Sequence, residues 1–183
     1  MRAALAFSLC ALAACQHGAV APPSTSPYVG QETREIKALS SDEVQGYLDG
    51  AGLGYARAAE LNGYPGPRYV LDLADSLALT EAQRDRVEES FRAMQTEARA
   101  RGREYVAAEA ALDQAFAGGE VDREAVRALT GASARIESRI RAAHLDAHLD
   151  MVAVLTPERV AAYSRLRGYS GGGAHEGHRG HRR

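Results

Sequence analysis

From Val87 onward, apolar residues recur at alternating spacings of four and three: Val87, Phe91, Met94, Ala98, Tyr105, Ala108, Leu112 and Ala115, with Arg101 the one interruption. Such a seam belongs to a long helix packed along a partner helix. Gly118-Gly119 ends it, because glycine accepts the left-handed conformation that closes helices. Asp122 caps a return helix whose seam reads Val126, Leu129, Ser133, Ile136, Ile140, Ala143, Ala147, Met151 and Val154. Joined by so short a turn, the two helices face each other as an antiparallel hairpin.

Short helices flank the hairpin, and their starts are built alike. Leu39-Ser40-Ser41-Asp42-Glu43-Val44 places Ser40 as N-cap, Glu43 to return a bond to the Ser40 N–H, and Leu39 against Val44 as a staple. Gly46, Gly50, Gly52 and Gly54 weaken the helix that follows, so it runs broken towards Leu61. Asn62-Gly63-Tyr64-Pro65-Gly66-Pro67 forces a turn, with Pro67 opening a short helix through Leu77. Leu79-Thr80-Glu81-Ala82-Gln83 starts the first long helix, with Thr80 as cap and Gln83 as its return partner. Leu155-Thr156-Pro157-Glu158-Arg159-Val160 starts a last short helix, ended by Gly168.

Composition makes this core thin. Of 183 residues 36 are alanine, with three Phe and no Trp, which leaves too few large or β-branched side chains for a sandwich or a doubly wound sheet. The fold class is therefore all-α: a long antiparallel helical hairpin with short flanking helices over residues 39–168. Its alanine-rich seam needs covering by the N-terminal helices or by a second copy, and a homodimer is expected. A net charge of -2 gives no electrostatic basis for a general nucleic-acid binder.

The N-terminus reads as an address. Met1-Arg2 followed by an apolar stretch to Ala14 is too short to span a bilayer permanently and matches an export signal over residues 1–14. Leu12-Ala13-Ala14-Cys15 resembles the bacterial lipobox, which implies acylation of Cys15 and a membrane anchor. The alternative is an ordinary signal cut after Ala19-Val20-Ala21. In the lipidated form no free thiol remains for a disulfide. Residues 15–38, rich in Pro and Ser, form a tether, and residues 169–183, rich in Gly, His and Arg, a disordered tail. Gln16, where Asp would retain a lipoprotein in the inner membrane, favours the outer membrane by resemblance.

The pair Leu79-Thr80-Glu81-Ala82-Gln83 and Leu155-Thr156-Pro157-Glu158-Arg159, in an exported helical chain, resembles the twin Leu-Thr-x-x-Gln signature of the Spy/CpxP family, which includes ZraP- and CnrX-like periplasmic heavy-metal sensors. The likeness covers residues 67 to 168, and Arg159 stands where the family has Gln. The family implies a periplasmic hairpin dimerised into a cradle. It acts as an ATP-independent chaperone, an envelope-stress modulator or a metal sensor, with unfolded envelope proteins or a membrane sensor protein as partners. Charges on the first long helix are nearly balanced, so no strongly cationic cradle is evident.

Histidines carry the alternative chemistry. His144 and His148, four apart on the return helix, share one side and can chelate a divalent ion together, with Met151 three residues further. Folding the hairpin about Gly118-Gly119 places them opposite Glu88, Glu89 and Met94, where a carboxylate would complete the site. The plainer reading makes His144 a boundary residue of the apolar stripe. In the tail, His175, His178 and His181 recur every third residue and suit Zn, Ni or Cu, or the tail serves only to solubilise. No required cofactor is implied. Phosphate loop, cysteine nucleophile and catalytic serine context are all missing, so the chain reads as a binding protein rather than an enzyme.

Overall fold

The computed structural model describes residues 25–119 and 121–169, and the chain divides into two units, residues 1–32 and 33–183. In the first, residues 25–32 make tight turns, with the Gln31 N–H donating to the Tyr28 carbonyl at 3.0 Å. Among the described residues of the second, all regular structure is helical: α1 (Ser41–Asp49), α2 (Arg57–Glu60), α3 (Pro67–Asp72), α4 (Glu81–Ala117), α5 (Arg123–Val154) and α6 (Pro157–Leu166). The long helices α4 and α5 pack against each other as the expected hairpin. No helix among the described residues is long and apolar enough to cross a membrane.

The helix starts follow from side chains that accept otherwise orphaned N–H groups. Ser40 Oγ accepts from the Glu43 N–H at 3.2 Å, while the Ser40 N–H donates to Glu43 Oε2 at 2.8 Å. Thr80 and Gln83 repeat the exchange, both bonds at 3.2 Å. Asp122 Oδ1 accepts from the Ala125 N–H at 2.8 Å. Thr156 Oγ1 accepts from the Arg159 N–H at 3.4 Å, but the Arg159 guanidinium leaves its own cap and donates to the Leu77 and Ala78 carbonyls at 2.9 and 2.6 Å. Gln83 Nε2 reaches the other way, to the Val154 carbonyl at 2.9 Å. The two starts thus clasp each other, each satisfying backbone carbonyls of the segment that leads into the other.

Two cores result. Near the open end of the hairpin Val70, Leu77, Val87, Met151, Val154, Leu155 and Tyr163 pack together; midway, Ile36, Leu39 and Tyr47 pack on Ile140. The N-terminal helices therefore cover much of the alanine-rich seam. Close approach of α1 depends on Gly102, a buried position of α4: a Cβ there would lie 1.9 Å from the Tyr47 carbonyl oxygen. Gly102 takes the inward position, and Arg101 turns outward to pair with Glu97 and Glu104. The helix expected from Pro67 through Leu77 stops at Asp72. Beyond it the chain tightens into turns (Ala74 N–H to Leu71, Ala78 N–H to Asp75), which swing Leu77 into the core.

Candidate metal site

Helix α5 buries both histidines, His144 at 4% and His148 at 7% exposure, on the side facing the N-terminal segment. They border a cavity of about 770 Å³. Its walls are the Gly50–Gly54 loop, Glu60 of α2, Gly66 and the start of α3, and Phe91, Met94 and Gln95 of α4.

His148 Nδ1 lies 2.8 Å from the Tyr64 carbonyl oxygen. A carbonyl only accepts, so Nδ1 carries a proton; in the neutral imidazole this leaves the lone pair on Nε2, the tautomer that metal-ligating histidines adopt. His144 stacks on Tyr55, ring centroids 6.3 Å apart. Burial, with the nearby His148, pushes the His144 pKa below its ordinary 6.5 against a weaker backbone bond to Ala51. The imidazole is held neutral, and its buried Nε2 has no hydrogen-bond partner.

Glu60 supplies a carboxylate. Its Oε1 accepts from Tyr163 and Tyr169 hydroxyls at 2.7 and 3.0 Å and from Arg167 Nε at 3.4 Å. Its Oε2 is buried without a partner, 3.9 Å from His148 Nδ1. Buried polar atoms are ordinarily paired, so two orphans on one cavity call for an explanation. Gly66 keeps the space between His148 and Glu60 open: a Cβ there would stand 3.3 Å from His148 Nε2 and 3.4 Å from Glu60 Oε2. Neutral imidazole nitrogen and carboxylate oxygen, with Met94 also among the lining residues, suit a borderline divalent ion in donor type. As placed, no three His, Cys, Asp or Glu side chains among the described residues converge on one ion.

The structure thus brings together His144, His148 and Met94, while Met151 packs fully buried in the core near the hairpin's open end, away from the cavity. The expected hairpin register is close to that observed, with Ser90 Oγ donating to Asp150 at 2.7 Å. Glu88 and Glu89 nevertheless face solvent, and the carboxylate comes from Glu60 instead. Leu79, Thr80, Gln83, Leu155 and Thr156 sit at the two clasped helix starts, with Leu155 in the same core as Met151 and Leu79 packed against it. Cys15, His175, His178 and His181 lie outside the described residues.

Sequence reading missed Glu60, the Tyr64 carbonyl and Gly66. The one signal was the turn Asn62–Pro67 itself, whose Pro and Gly hold these groups against α5.

A family model described as heavy-metal resistance matches residues 52–162, which include Glu60, Met94, both helical histidines and the twin starts. No curated protein and no solved structure matches.

Proposed function

From the chain's membership of the heavy-metal resistance family, related to the Spy/CpxP-like helical proteins, we propose that it is a periplasmic heavy-metal sensor or resistance protein that binds Zn, Ni or Cu. The observation that carries this reading is the pair of buried, unpartnered atoms His144 Nε2 and Glu60 Oε2, on two residues that line one cavity. His144 and His148 would give neutral imidazoles, Glu60 a carboxylate whose second oxygen is fixed by Tyr163, Tyr169 and Arg167, and the Tyr64 carbonyl would orient His148. A bound ion would supply a Lewis-acidic positive charge beside these buried acceptors. The chain acts by binding rather than by chemistry, and the tether through Cys15 holds it at the membrane. Holding unfolded envelope proteins is the other role read from the sequence; the buried donor set favours metal.

Calorimetry with Zn, Ni and Cu tests the reading on the chain ending at Tyr169, which removes the tail histidines. His144→Ala/His148→Ala and, separately, Glu60→Gln should weaken binding by about tenfold or more. Affinity unchanged in both variants would reject the site.

A further inference from the structure

Away from the histidines, the same cavity has a second kind of wall. Phe91, Gln95 and Arg99 recur every four residues along α4, so they share one face of that helix, and Met94 lines the cavity with them. At about 1.5 Å of rise per residue, the stripe runs about 12 Å from the level of Arg99 to that of Phe91. One end is cationic and the other apolar.

The cationic end is built on the Gly50–Gly54 loop. Just before the loop, Arg99 Nε donates to the Asp49 carbonyl at 3.0 Å. At its far end Arg57 lies along the Gly54 backbone, where a Cβ would stand 3.0 Å from Arg57 Nη2; a Cβ on Gly50 would stand 2.9 Å from Arg99 Cγ. Glycine at both ends therefore lets the two arginines lie against one five-residue loop.

Charge leaves these two arginines available. The lining holds four guanidiniums, of Arg57, Arg68, Arg99 and Arg167, against three carboxylates. Arg68 pairs with Asp72 at 3.8 Å and Arg167 with Glu60 at 3.4 Å, while the Asp49 carboxylate accepts from Gln45 Nε2 at 3.0 Å. Neither Arg57 nor Arg99 stands in an ion pair among the described residues. The lining is left with one positive charge in excess, the complement of a monoanion. Guanidinium forks match a carboxylate in shape, and a cavity of about 770 Å³ falls in the range of about 300–1,000 Å³ typical of sites for small organic molecules.

We propose that the cavity binds an amphipathic monocarboxylate of the medium-chain fatty-acid class, its carboxylate at Arg57 and Arg99 and its chain along Met94 and Phe91. A small carboxylate would leave the apolar end of the stripe in water, and an alcohol of the same length would leave the guanidiniums uncompensated. The inference goes beyond the metal reading and does not depend on it, since it uses none of His144, His148 and Glu60.

Octanoate at sub-micellar concentration is the probe, with the full chain in buffer stripped of metal. Equilibrium dialysis should retain octanoate in near-equal amount to the protein. Acetate, which lacks the chain, and octanol, which lacks the charge, should each bind at least about tenfold more weakly. Arg57→Ala and Arg99→Ala, at exposed side chains, should each lower octanoate affinity about tenfold without moving the urea midpoint. Arg103→Ala, at another exposed arginine of α4 but outside the lining, should bind octanoate as before. Failure to retain octanoate would overturn the proposal, as would acetate or octanol held equally tightly. So would either cavity-arginine variant binding at the original level, or Arg103→Ala losing as much as they do. With nickel absent throughout, failure here leaves the metal reading standing, and failure of nickel to bind leaves this one.

Discussion

Replacing Gly102 with Ala should reverse the sign such a change has on an exposed helix. In an unobstructed helix interior, Gly→Ala stabilises by about 1 kcal/mol through backbone entropy. At Gly102 the added methyl would stand 1.9 Å from the Tyr47 carbonyl oxygen and 2.7 Å from its carbon. These are backbone atoms that cannot rotate away. Reaching ordinary contact at 3.4 Å parts the two helices by 1.5 Å. That displacement pulls Tyr47 from Tyr105, now 4.5 Å between ring centroids, and strains the hydroxyl chain from Tyr47 through Tyr55 to Glu137, held at 2.9 and 3.0 Å. Overpacking costs about 1–3 kcal/mol and the ring pair contributes about 0.5–1.5 kcal/mol, so after the helix gain a net loss of about 2 kcal/mol is expected. Gly131→Ala on α5 is the control. Its methyl meets only the end of the flexible Arg135 side chain, at 3.4 Å, and it should stabilise by up to about 1 kcal/mol. Urea unfolding of the three chains at pH 7 reads both values. Gly102→Ala as stable as the original chain would refute the close approach of α1 to α4.

Three further outcomes follow from the same structure. His144 is held neutral with its pKa below the unfolded 6.5, so the unfolded chain binds the proton first; stability is full above that pH and falls as pH drops below it. In metal-free buffer His144→Leu should flatten the decline, and an unchanged profile would contradict the burial. Thr80→Ala should lose about 0.5–2 kcal/mol and Thr80→Asp should restore most of it; metal binding lost in a fully stable Thr80→Asp would show that the motif is a contact surface rather than a clasp. A homodimer remains our proposal, now through the outer face of α5, where Leu149 and Val152 are 55% and 44% exposed. Sedimentation at micromolar concentration should show a dimer that Leu149→Asp dissociates, and a monomer in the unaltered chain would remove it.

Capping made most of the fold legible. Ser40, Thr80, Asp122 and Thr156 announce helix starts because the bonds that satisfy a first turn come from residues within three positions. The seam through Val87, Ala98, Ile140, Ala147 and Met151 is readable for the same reason, as local periodicity. Its level at Arg101 was not, since only the arrival of α1 shows that the inward residue is Gly102. The site was half legible. The spacing of His144 and His148 fixes a shared face, but Met151, two turns along from His144, falls where α3 and α6 close the core. Glu60 gives no periodic signal: it becomes a candidate ligand because the turn at Asn62–Pro67 folds a four-residue helix back against α5, 84 positions away from His144.

The most direct test of the central claim is an anomalous diffraction map from crystals of the chain ending at Tyr169, grown with nickel. The account places the peak in the cavity, beside the unpartnered acceptors His144 Nε2 and Glu60 Oε2. Peaks only at surface carboxylates, with none beside His144 and His148, would contradict it.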